Sequence, residues 1–271
     1  MDLAAYFRRI GFEGTARPDL ATLKAVHRAH LAAIPYENFD VRFLRPGGIE
    51  PEAAFDKLVT RRRGGWCYEM NGVLGAALDE IGFSVTRLAG AVMRGERGDE
   101  VIGNHLVLKV ELDGASWLAD VGLGDGILEP IPLVEGPHRV EGYEFRLERL
   151  DPAWWRLHNH DMGGARHFDF TLEPAEPQRL ASMCQWLRTS PASIFTQATL
   201  AYRYTPQGWV VLLGRVLRRI QPGTRSDSLL DSAEALVATL DREFGLDLPE
   251  AAQLWPAICA KHDELAATGL I

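Results

Sequence analysis

Cysteine is scarce. The 271 residues hold three, Cys67, Cys184 and Cys259. They are too few and too widely spaced for a disulfide framework, which points to a reducing, cytoplasmic setting. Basic charge is short as well: 29 Lys and Arg stand against 37 Asp and Glu, a net charge of -8. An acidic surface repels phosphate backbones and argues against a nucleic-acid partner. No apolar run approaches the roughly 20 residues needed to cross a bilayer, so no membrane association is expected. The opening Met1-Asp2-Leu3-Ala4 carries an early acid and no long apolar core, unlike a signal peptide. Internal repeats and low-complexity stretches are missing. Gly122-Leu123-Gly124-Asp125-Gly126 is glycine-rich but lacks the Lys-Ser/Thr of a phosphate-binding loop, and no dinucleotide fingerprint occurs. His158, His160, Asp161 and His167 have no cysteine partners and no helical His pair, so no metal site is expected.

What is present is ordinary globular material, 46% hydrophobic and 24% charged. In the first third, Leu20, Leu23, Val26, His27, His30, Leu31 and Ile34 recur at helical spacing, with Asp19 as N-cap and Pro35 as stop. Pro51 opens a second helix through Val59. A third begins near Cys67, carries Met70, Val73, Leu74, Ala77, Leu78 and Ile81 on one stripe, and ends at Gly82. From Ser84 to Leu150 the period shortens to that of strands, and 168–172 is another. Pro174 to Pro191 holds a short helix or irregular stretch. A hairpin follows, Thr199 to Thr205 and Trp209 to Leu217, turning at Pro206-Gln207-Gly208. Asp231 and Glu234 have capping-box spacing for a helix stopped by Gly245, and a last helix starts near Pro249. Helices, then strands, then a mixed end predict an α+β fold.

One segment concentrates chemistry: Arg61-Arg62-Arg63-Gly64-Gly65-Trp66-Cys67-Tyr68-Glu69-Met70-Asn71. Two glycines permit a tight approach, and Cys67 falls in the first helical turn. Free N–H groups and the positive dipole end there favour a thiolate, and could hold an oxyanion. The plain alternative is a small, inert core cysteine. The triple arginine is usually a solvated face, but its lead into the cysteine turn suggests that one arginine pairs with a buried acid.

A base comes from the second region. Residues 105–112 form a strand, Asp113-Gly114 signals a two-residue hairpin, and 115–121 return. Pairing Leu112 with Ala115 makes paired numbers sum to 227. His105 and Asp120 then lie diagonally on one face, within reach of a hydrogen bond. A histidine with an orienting acid is half of a catalytic triad. The alternative is a strand histidine beside a strand-end turn residue.

Four segments together resemble the arylamine N-acetyltransferase family: Ile34-Pro35-Tyr36-Glu37-Asn38-Phe39, Arg63 through Asn71, Asn104-His105-Leu106-Val107-Leu108, and Trp117 through Gly124. The match in order and spacing covers most of residues 1–215. The resemblance implies an N-terminal helical bundle (1–83), a central β-barrel (84–190) and a C-terminal α/β lid (191–271) around a cysteine-protease-like catalytic core. It implies a triad of Cys67, His105 and Asp120, and a structural ion pair of Glu37 and Arg63. Asn104, Gly122, Gly124 and Phe195 would lie against CoA; Tyr36, Tyr68, Leu123 and Phe195 would wall the aryl pocket. Acetyl-CoA is then a co-substrate with no permanently bound cofactor. An acetyl-cysteine passes the acetyl group to an arylamine or hydrazine, or to the oxygen of an N-hydroxyarylamine, in a monomer or homodimer. Two departures stand out: Leu123 occupies a position that is often Phe, and Ser193-Ile194-Phe195 replaces a Ser-Pro-Phe string. A cysteine hydrolase or transglutaminase-like enzyme with the same triad, and a non-catalytic binding module, are the competing readings.

Overall fold

The structure, a computed structural model, describes residues 1–267. The Leu20–Ala33 helix starts where Asp19 accepts the Thr22 N–H at 2.8 Å, and Pro35 follows its end. Strand β1, Tyr36–Glu37, comes next. The predicted helix after Pro51 is two pieces: Pro51–Phe55 is α-helical and Asp56–Thr60 is a π turn. The wider turn buries three successive side chains, Lys57, Leu58 and Val59. Cys67–Ile81 is one helix, closed by Gly82 in the left-handed conformation (φ 105°).

Eight antiparallel strands make a nearly closed, barrel-like sheet: β2 (Ser84–Val92), β3 (His105–Leu112), β4 (Ala115–Ala119), β5 (Ile131–Pro132), β6 (Gly136–Val140), β7 (Tyr143–Arg149), β8 (Trp154–His158) and β9 (His167–Thr171). Their order is β5-β4-β3-β2-β9-β8-β7-β6. Between β2 and β3 the chain is not extended. Arg94–Arg97 and Asp99–Val101 form short helical turns there. The β3–β4 register follows the predicted sum, from Leu112↔Ala115 to Leu108↔Ala119, where the ladder ends.

The Pro177–Thr189 helix leads into a second sheet, ordered β1-β10-β11-β12-β13, with β10 Leu200–Thr205, β11 Gly208–Leu213, β12 Val216–Gln221 and β13 Thr224–Leu229. This corrects the single hairpin expected at 199–217. Gly208 already pairs with Thr205, and Gly214, with φ 58°, turns the chain between β11 and β12. Ser232, not Asp231, caps the Ala233–Phe244 helix by accepting the Ala235 N–H at 3.1 Å. The stretch after Pro249 is a 3₁₀ turn, Pro249–Leu254, before the Trp255–Ala267 helix. No helix among the described residues is long and apolar enough to cross a membrane.

The parts interlock. One core runs from Tyr6 and Leu23 through Leu74 into Val107, Leu118 and Phe170, so the helices and the barrel share it. β1 is the edge strand of the C-terminal sheet, with Tyr36 opposite Tyr202. A buried charge cluster fixes β1 to the Cys67 helix. Arg63 donates to Glu37 at 2.7 Å and to Asp40 at 3.2 Å. Lys57 Nζ lies 2.8 Å from Glu69 and 3.1 Å from Asp40. Burial opposes the Lys57 charge, but Glu69, Glu37 and Asp40 outweigh it and hold its pKa above the ordinary lysine value. Removing one partner from such a cluster strands the others. Lys57→Met should cost about 3–5 kcal/mol in urea unfolding; a loss under about 1 kcal/mol would show that Arg63 alone balances the three acids.

Candidate active site

Residues 63–65 run beside β1: the Gly65 N–H donates to the Pro35 carbonyl and the Glu37 N–H donates to the Gly65 carbonyl. The two glycines serve closeness here rather than an unusual turn. A Cβ on Gly64 would sit 2.2 Å from the Pro35 oxygen, and one on Gly65 would sit 2.8 Å from a Glu69 oxygen. Glu69 reaches back to the Trp66 N–H at 3.2 Å, satisfying the start of the Cys67 helix from within its own first turn. Cys67 is thereby set at the helix tip, 2% exposed.

His105 opens β3 and Asp120 follows β4. The His105 Nε2–H donates to Asp120 Oδ2 at 2.8 Å. The other carboxylate oxygen accepts from Asn71 Nδ2 at 2.7 Å and from the Gly122 N–H at 2.8 Å. Burial alone would raise the Asp120 carboxyl; the attraction of the His105 ring and these donors overcome it, and its pKa lies below the ordinary value. The Asp120 N–H donates to His27 Nε2 at 3.2 Å. His27 must therefore carry its proton on Nδ1, which faces the Leu128 carbonyl at 3.3 Å. Burial pushes His27 down to about 4, so it stays neutral.

Asn71 ties helix to hairpin. Its amide also donates to the Leu106 carbonyl at 2.6 Å, and its oxygen accepts the Val121 N–H at 2.9 Å. It stands four residues after Cys67, on the same helix face. That spacing was the available signal for it; His27 had none. Gly122 packs directly on the cysteine. A Cβ there would lie 2.7 Å from Cys67 Cα and 2.6 Å from Asn71 Nδ2.

At the helix tip, burial opposes the thiolate that the dipole and free N–H groups favour. Burial pushes the Cys67 thiol well up, and the Leu106 and Tyr68 N–H groups oppose it only in part. Cys67 Sγ lies 3.8 Å from the Asn104 carbonyl. Ionising a thiol this buried calls for a base that takes the proton.

Cys67 and His105 both face a cavity of about 410 Å³. Of the expected contacts, Tyr36, Asn104, Gly122, Leu123 and Phe195 line it. Tyr68 does not: its ring is fully buried against Trp66, and its hydroxyl donates to the Gly103 carbonyl. Gly124 does not either, because it packs beneath Tyr202. The side chain of Asn104 is engaged with the Val92 backbone, accepting its N–H at 2.8 Å. Tyr202, Asp125, Arg97 and Arg218 were not singled out for the site from sequence, yet they line the cavity. His158 and His167 pair across β8 and β9, with ring centroids 6.4 Å apart, but their Nε2 atoms turn to Glu148 and Glu96, and His160 meets the Asp125 carbonyl.

The N-acetyltransferase family model matches residues 19–253. An arylamine N-acetyltransferase of Mycolicibacterium smegmatis is 37% identical over 93% of this chain and 94% of its own length. That of Escherichia coli strain K12 is 32% identical over 91% and 89%. The Mycobacterium marinum arylamine N-acetyltransferase in complex with CoA superposes with a TM-score of 0.86, at 30% identity, over 97% of this chain and 99% of that one. With motif order, architecture and near-full-length similarity in agreement, the chain belongs to the arylamine N-acetyltransferase family.

Proposed function

We propose that the protein transfers an acetyl group from acetyl-CoA to arylamines and hydrazines through an acetyl-Cys67 intermediate. The observation that carries this is the sharing of one cavity by Cys67 and His105, with the far nitrogen of His105 held by Asp120. Nε2 is committed to Asp120, so Nδ1 is the nitrogen left to take the thiol proton. The ionised Asp120 stabilises the imidazolium that results. Thiolate and imidazolium then form as a pair inside a site too buried to favour a lone thiolate.

Cys67 Sγ bonds to the thioester carbonyl, and the bond from that carbon to the CoA sulfur breaks. The departing sulfur takes the proton from His105. An unprotonated amine then attacks the acetyl-Cys67 carbonyl, His105 accepts the amine proton, and the carbon–Sγ bond breaks to restore the thiol. Arylamines suit this step because they are weak bases and largely unprotonated near neutral pH. An N-hydroxyarylamine oxygen takes the acetyl group by the same route. Gly122, Asn104 and Phe195 are assigned to the CoA side, and Tyr36, Leu123 and Phe195 to the aryl walls. Gly124 and Tyr68 act from behind, as packing. CoA in the similar Mycobacterium marinum enzyme supports the choice of donor.

Incubation with acetyl-CoA alone should leave one acetyl group on Cys67 by peptide mass spectrometry and none on Cys184 or Cys259. An unmodified thiol beside released CoA would remove the covalent step, and Cys67→Ala should abolish transfer. Asp120→Asn should lower kcat by up to about 10⁴, the scale for losing the orienting acid of a triad. Near-normal turnover would place the orientation of His105 elsewhere. Leu123→Phe should reorder the rates across a panel of anilines. An unchanged order would take this side chain out of the aryl wall.

A further inference from the structure

The acetyl transfer just described gives no role to Asp125, a carboxylate in the wall of the same cavity. It is 2% exposed and lines the cavity. Oδ2 accepts the Gly164 N–H at 2.8 Å, and Oδ1 takes a long contact of 3.4 Å from Asn159 Nδ2. No Lys, Arg or His among the described residues forms an ion pair with it. Two arginines also line the cavity, Arg97 and Arg218; Arg218 is held by both oxygens of Asp227, at 2.9 and 3.0 Å, and neither is within ion-pair distance of Asp125. A carboxylate offers about four acceptor sites, so Asp125 keeps capacity unused by the protein.

The Tyr202 hydroxyl makes no hydrogen bond among the described residues. A Cβ on Gly164 would fall 3.3 Å from that hydroxyl and 3.7 Å from Asp125 Oδ2. Both oxygens therefore border the gap left by one missing side chain. Leu200, Val211 and Ile220 line the same cavity, beside Arg218. A buried acid with no ion-pair partner, facing a ligand-sized cavity, is a recognition group for a donor that arrives with the ligand.

We propose that Asp125, with Tyr202 beside it, selects acceptor amines that carry a second, positively charged hydrogen-bond donor away from the reacting nitrogen. This rests on the cavity being the acceptor site. Burial pushes the Asp125 carboxyl up to about 6, against the Gly164 and Asn159 donors and the more distant Arg218. The other titratable groups facing it are Tyr202 from β10, Tyr143 from β7 and the His160 ring on its carbonyl. Asp125 is thus uncharged in acid and gains its charge as pH rises through that value, so the preference for a cation grows with pH.

Three para-substituted anilines separate the outcomes: aminoethyl (cationic), propyl (neutral and of similar size) and carboxymethyl (anionic). Acetyl transfer and calorimetric binding are both measured, on wild type and Asp125→Asn, from about pH 5 to about pH 7.5. The aminoethyl compound should exceed the propyl one about tenfold at the upper pH, the scale of one charge-assisted hydrogen bond. The ratio should shrink toward the lower pH and flatten in Asp125→Asn. A neutral or anionic preference, or an unchanged ratio in the variant, overturns the proposal. Should the variant fail to fold, the wild-type pH series decides alone. If no aniline is acetylated while binding keeps the charge preference and Asp125→Asn removes it, the transfer reading falls and recognition of a cationic amine by Asp125 stands without it.

Discussion

The carboxylate of Asp120 is the joint on which the site depends. It is buried, yet ionised, because His105, Asn71 and Gly122 each donate to it. Each donor belongs to a different piece of chain: a barrel strand, the cysteine helix and the loop after β4. A buried charge this well satisfied tolerates little displacement of any donor, since an unpaired one would cost several kcal/mol. The same network therefore supplies a polarised imidazole and fixes the helix against the barrel.

A second buried charge assembly works upstream. Glu37, Asp40 and Glu69 share Lys57 and Arg63, and together they lock β1 and the π turn to the start of the cysteine helix. Burying so much charge is costly, and apolar packing could hold the fold as well. What charges add is direction. Glu69 caps the helix that carries Cys67, and Arg63 anchors the glycine pair that delivers it. Placement of the sulfur follows from both ends of the segment.

The cavity combines surfaces from all three regions. Cys67 comes from the helices, His105 and Leu123 from the barrel and its loop, and Phe195 and Tyr202 from the C-terminal part. Because Tyr36 pairs with Tyr202 across the β1–β10 ladder, the C-terminal sheet is tied to the strand that precedes the cysteine segment. Its contribution to the wall is built into the fold rather than laid over it.

Local chemistry in the sequence was enough to fix much of this. Asp19 starts a helix and Gly82 ends one because their side-chain and backbone preferences act within a few residues. Asp113-Gly114 sets the β3–β4 register, and register alone brings His105 and Asp120 to one face. Groups whose roles depend on distant partners were not legible. The π turn, the neutral state of His27, the retreat of Tyr68 behind Trp66 and the unneutralised Asp125 all arise from packing between segments far apart in the chain. The surroundings of Cys67 show the division most directly. The helix tip favours a thiolate, a local effect, but burial by the barrel and the C-terminal part removes the water that would stabilise the charge, and only the tertiary structure determines that.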